Sequence, residues 1–261
     1  MKVNTKNPFY VIGFVVVVSA VFTAGIVALQ IATAARVERN EKMRRYRALA
    51  TLFAPSWGVG DVAKLSDEEV VKLVDGRVDS SKRLVDESAK PPVDMQLFWA
   101  YATADRKKKV GLAFPVGGNG FWAPIRGYLA VDPARKRALG IVFVEQKETP
   151  GLGARITEEA FTDQFQKKAR EKKDQEPLKI HPPERSGAPF IYIGKGEPTG
   201  ANDPRFGRSV DAITGATQTS LAVERFLNAN LRRFHKAYRA GEIVSDSEGA
   251  GKGSKGAQPS K

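Results

Sequence analysis

Asp211-Ala212-Ile213-Thr214-Gly215-Ala216-Thr217-Gln218-Thr219-Ser220 is a short loop dense in hydroxyls, carrying one glycine and two alanines. It runs straight into a segment in which Val223, Phe226, Leu227, Leu231 and Phe234 recur at helical spacing, the signature of an amphipathic helix. A hydroxyl-rich loop that opens a helix is chemically loaded. Ser and Thr side chains cap exposed N–H groups there, and the positive end of the helix dipole favours an anion such as phosphate. Taken alone, such residues are ordinary helix caps. The longer pattern, Asp-x-x-Thr-Gly-Ala-Thr-x-Thr-Ser, gains weight from a second motif upstream.

That motif is Glu148-Thr149-Pro150-Gly151-Leu152-Gly153, placed after the apolar strand candidate Leu139 to Val144. Pro followed by Gly suits a type II turn, with Pro presetting the first central residue and Gly taking positive φ at the second. Two glycines in a tight turn let backbone approach a flat ligand closely. A plain strand-to-helix connection is the competing reading. A third run, Gly117-Gly118-Asn119-Gly120-Phe121-Trp122, lacks both the GxGxxG spacing and the Lys-Ser/Thr of a nucleotide loop.

The first two motifs together resemble the FMN-binding domain of the NqrC family, the FMN-carrying subunit of the sodium-translocating NADH:quinone oxidoreductase. They also resemble the paralogous FMN-carrying subunit of the Rnf electron-transport complex. The resemblance implies FMN held covalently, through its phosphate, on Thr217. It implies that Thr214, Gly215, Ala216, Thr219 and Ser220 surround the linkage, with Thr214, Thr219 and Ser220 donating to the phosphate. It implies that Glu148, Thr149, Gly151, Leu152, Gly153 and Trp122 lie by the isoalloxazine ring. Asp211 would help a separate flavin transferase recognise the loop, because a threonine hydroxyl is a weak nucleophile on its own. The Phe121 to Leu129 run looks more like the quinone-reductase branch. Implied partners are the other subunits of a membrane redox complex and that transferase.

Outward from these motifs, the chain reads as an α+β protein: one N-terminal membrane helix, then a domain with an antiparallel sheet and flanking helices. Strand candidates are Leu97 to Tyr101, Val110 to Val116, Ile125 to Val131, Ala138 to Glu145 and Pro189 to Gly194, with Glu158 to Lys172 as a helix. The expected divisions are an anchor over 1–35, a helical stalk and linker over 36–95, the FMN-binding domain over 96–240 and a disordered polar tail over 241–261. Phe9 to Ala35 is almost continuously apolar, longer than the ~20 residues that cross a bilayer. It reads as an uncleaved anchor in the lipid bilayer rather than a signal peptide. The flanking Arg36, Arg39, Lys42, Arg44, Arg45 and Arg47 would keep the following domain in the cytoplasm by the positive-inside rule. The resemblance instead implies the inner membrane with the domain in the periplasm, and long domains translocate largely regardless of charge.

Composition narrows the chemistry. The absence of cysteine excludes disulfides, thiolate metal sites and iron–sulfur clusters held by this chain. With only His181 and His235 as imidazoles, no metal site is expected. The net charge of +13 comes from scattered basic residues without a base-reading motif, so nucleic acid is not an expected partner. The remaining reading of another class is a membrane-anchored, flavin-free basic interaction module.

Overall fold

A computed structural model of the 261-residue chain describes residues 8–166, 178–183, 187–196, 198–199 and 202–245. Two units emerge, Met1–Arg45 and Tyr46–Lys261. Helix α1 (Pro8–Trp57) supplies the described part of the first unit and the start of the second. Most of its apolar residues up to Val37, among them Phe14, Phe22 and Leu29, are exposed. The helix contains an 18-residue window of mean hydropathy 2.6 and is long and apolar enough to cross a membrane. It ends at Trp57, two residues past Pro55, where Gly58 takes φ +65° and the Val59 amide returns to the Ala54 carbonyl.

The second unit is built on a six-stranded antiparallel sheet in the order β5-β4-β3-β2-β1-β8. The strands are β1 (Val78–Asp86), β2 (Val93–Tyr101), β3 (Lys109–Asn119), β4 (Pro124–Val131), β5 (Ala138–Glu145) and β8 (Glu242–Ser245). Helix α2 (Asp67–Arg77) precedes them and begins with a full capping box between Ser66 and Glu69. A two-stranded parallel ribbon joins β6 (Tyr192–Gly194) to β7 (Ser209–Asp211), and α4 (Thr217–Ala240) follows it. The expected α+β architecture, an antiparallel sheet with helices, is the one observed.

Strand β3 is covered on both faces, which explains its unbroken burial from Gly111 to Phe114. Leu112, Phe114 and Val116 point one way and join the core with Phe226, Leu231 and Phe234 of α4. Phe114 and Phe234 stack at 4.1 Å. Gly118 lies on the same face, and a Cβ there would sit 2.4 Å from Phe226, so α4 rests directly on the strand backbone. On the other face, a Cβ at Gly111 would meet Phe53 in the last turns of α1.

Three expectations change. The sheet starts inside the stretch expected to be stalk and linker: β1 lies wholly within 36–95, and Ala89 to Pro92 forms the hairpin connection to β2. The tail expected to be structureless from 241 contributes Glu242–Ser245 as an edge strand on β1; residues 246–261 lie outside the described set. The helix expected over Glu158 to Lys172 is a short α3 (Glu159–Thr162) followed by a 3-10 turn, Asp163–Phe165, after which Gln166 is extended. Phe161 and Phe165 are buried as expected; the basic run from Lys167 lies outside the described residues.

Candidate functional site

Three segments converge at the N-terminal end of α4. The first is the turn between β3 and β4, closed by the Gly120 amide donating to the Ala123 carbonyl. The second follows β5: the Leu152 and Ala154 amides donate to the Thr149 carbonyl, and Gly151 sits at φ +73°. This is the type II turn that Pro150-Gly151 calls for. The third is the loop ahead of α4, where the Ala216 amide donates to Ile213 across Gly215 at φ +82°. Only glycine adopts these two positive-φ positions without strain.

Glu148 ties the segments together. Its side chain is buried, at 5% exposure. Oε1 accepts from the Phe121 and Trp122 amides, both at 3.0 Å, and Oε2 accepts from the Thr219 hydroxyl at 2.7 Å. Its own amide donates to Gln146 Oε1 at 2.7 Å. Two glycines make room for the carboxylate. A Cβ at Gly120 would lie 2.4 Å from Oε1, and one at Gly153 would lie 2.5 Å from Thr219 Oγ1 and 2.9 Å from Oε2. The Glu148 carboxylate is turned inward and engaged by these three donors.

The hydroxyls separate into two groups. Thr219 and Ser220 are buried, at 3% and 1% exposure. The first donates to Glu148 and the second accepts from the Ile213 amide. Both hold the loop in shape. Thr214 and Thr217 are exposed. Nor do the hydroxyls cap the helix. The N-cap residue is Ala216, with no side-chain hydrogen bond. Among the described residues no acceptor meets the amides of Thr217, Gln218 and Thr219. An exposed hydroxyl thus stands at the uncapped positive end of a 24-residue helix, an arrangement suited to a phosphate.

Apolar surface lies around it. Trp122 is 69% exposed and Phe121 54% exposed, packed edge to face at 5.0 Å. Trp122 is thus surface rather than core. Leu152 is also exposed, and its Cδ2 lies within 3.3 Å of where a Gly215 Cβ would be. Exposed Leu221, one turn beyond Thr217, extends the patch. Sequence reading assigned no site role to Phe121, Gln146 or Leu221, although the glycine-aromatic run contains the first. A cleft of about 520 Å³ borders the loop on Asp211 to Thr214. Its charged lining is Glu158, Glu159, Asp163 and Asp211 against Arg155, which already pairs with Glu158. That acidity disfavours phosphate there and leaves the helix end as the anion site. A phosphate at the helix end and a flat apolar ring beside it both find fitting residues. Among the described residues no group of His, Asp or Glu could hold a metal.

Comparison with known proteins agrees. A family model described as the FMN-binding domain matches residues 120–232, which span all three converging segments. That stretch of the chain is similar to FMN-binding domains. The chain is similar to the NqrC proteins of the Na(+)-translocating NADH-quinone reductases: 33% identical to that of Chlamydia pneumoniae over 141 residues, covering 50% of this chain and 44% of that one. It is 35% identical to that of Yersinia pestis over 114 residues, covering 44% and 37%. The chain spans less than half the length of these curated relatives. The crystal structure of the corresponding protein from Parabacteroides distasonis ATCC 8503 shares the fold, with TM-score 0.54 at 23% identity, covering 76% of this chain and 94% of that chain.

Proposed function

We propose that this chain is a membrane-anchored electron-transfer component of a sodium-translocating NADH:quinone oxidoreductase, carrying FMN as a phosphoester on Thr217. The observation that carries the proposal is the exposed Thr217 hydroxyl at the uncapped start of α4, beside the apolar rim of Trp122 and Leu152. Thr217 would hold the phosphate covalently, with the first-turn amides of α4 compensating its charge. Trp122 and Leu152 would cover ring surface, while Thr149, Gly151 and Gly153 shape the turn beside it. FMN supplies the electron transfer; the polypeptide supplies orientation and electrostatics. Covalent attachment keeps the cofactor in place in both redox states, so no binding equilibrium enters its potential. The names of the relatives favour this complex over the Rnf reading.

Asp211 and Thr214 line the acidic cleft beside the acceptor loop, a position open to the flavin transferase expected to perform the attachment. The anchor would place the domain at the inner membrane, facing the periplasm, in contact with other subunits. The test is fluorescence of the denatured chain in a gel, after expression with the transferase. A fluorescent band that disappears in Thr217→Ala is expected. An unlabelled wild-type band would instead favour a flavin-free basic interaction module.

A further inference from the structure

We infer that Glu148 is a positioning residue: a buried latch that fixes the direction of the exposed Phe121–Trp122 pair relative to the acceptor turn of α4, without touching the ligand itself. The consequence for FMN rests on the function proposed above, but the latch is a property of the polypeptide alone. A buried carboxylate is stable only when its oxygens are hydrogen-bonded, and here both are. Oε1 takes two consecutive amides, those of Phe121 and Trp122. Two bonds to neighbouring N–H groups fix the orientation of the peptide between them, and so the direction in which both exposed rings leave the backbone. Oε2 takes the hydroxyl of Thr219, in the same first turn as Thr217. One side chain therefore couples the aromatic rim to the acceptor helix. Gly120 and Gly153 leave room around the carboxylate that no larger residue would leave, so the latch is a closed fit and not a chance contact.

The test compares amide hydrogen exchange in the full chain made without flavin transferase, so that it is independent of FMN attachment. In the wild type the Phe121 and Trp122 amides should be protected although their side chains are mostly exposed. Glu148→Ala should speed exchange at these two amides about tenfold, the loss expected for a removed hydrogen bond, and leave the Leu129 amide in β4 unchanged. Glu148→Gln keeps an acceptor for the two amides and a donor for Thr219 Oγ1, and should restore protection. Wild-type amides exchanging as in an unstructured peptide, or full protection persisting in Glu148→Ala, would overturn the inference. Should Glu148→Ala also speed Leu129, Thr219→Val decides, since it keeps volume and removes one hydroxyl. In the flavinylated chain its visible circular dichroism, normalised to bound FMN, should fall. Unchanged ellipticity would mean that the latch does not set ring orientation.

Discussion

At the scale of single residues, the site depends on small volumes. Gly153→Ala would push a methyl group against Thr219 Oγ1 and Glu148 Oε2, and both are buried and cannot swing away. Overpacking of this kind costs about 1–3 kcal/mol, so a urea midpoint clearly below wild type is expected. His235 supplies a pH-dependent contribution. Burial, then the nearby Arg239 and Arg135 charges, lower its pKa to about 4, against a raising bond to the Ile180 carbonyl. A native pKa below the unfolded value of 6.5 means the unfolded chain binds more protons between these limits. The contribution to stability is complete above pH 6.5 and is lost as pH falls towards 4. After allowance for partial exposure it is worth about 2 kcal/mol. His235→Phe, which keeps an aromatic ring against Phe190 and Phe234, should flatten the dependence of chemical-denaturation stability on pH across that window.

At the scale of elements, β8 carries the clearest prediction. It pairs Glu242 to Ser245 with Val85 to Lys82 and covers the edge of β1. Removing residues 242–261 should lower stability by about 1–2 kcal/mol and expose an unpaired edge. Thermal melts and sedimentation at several concentrations would report both effects. This strand also marks where sequence reading stops. Helix α4 was legible because its 3.6-residue apolar period is a local signal. Strands β4 and β5 were legible from their apolar runs, Ile125 to Val131 and Ala138 to Glu145. β1 reads Val-Asp-Ser-Ser-Lys-Arg-Leu-Val-Asp and β8 reads Glu-Ile-Val-Ser; their pairing partners, not their composition, make them strands. The same holds within the site. Motifs pointed to Thr217 and the Pro150-Gly151 turn, but the bond between Glu148 and Thr219 joins residues 71 apart in the chain. No local pattern records it.

At the scale of the whole molecule, the two units separate in composition. Residues 8–45 carry the exposed apolar surface of α1, and the sheet belongs to the second unit. The full chain is expected to sediment with membranes, whereas residues 46–261 expressed alone should stay in the supernatant and melt cooperatively. The lack of cysteine makes orientation directly measurable. Lys107→Cys places a thiol on an exposed turn, and a membrane-impermeant maleimide applied to intact cells with a permeable outer envelope should label it if the domain is periplasmic. Absence of label, with labelling after lysis, would instead follow the charge balance around the anchor.

The order of the chain adds a temporal consequence. Strands β1 to β5 lie within residues 78–145, whereas Thr217 and its helix come near the end of the described chain. A ribosome therefore releases most of the sheet before it has made the acceptor. Glu148 is synthesised early and has to await Thr219. A nascent polypeptide arrested before α4 would own nearly all of its strands yet lack Thr217; if FMN is attached there as proposed, the label would report that synthesis has passed that point.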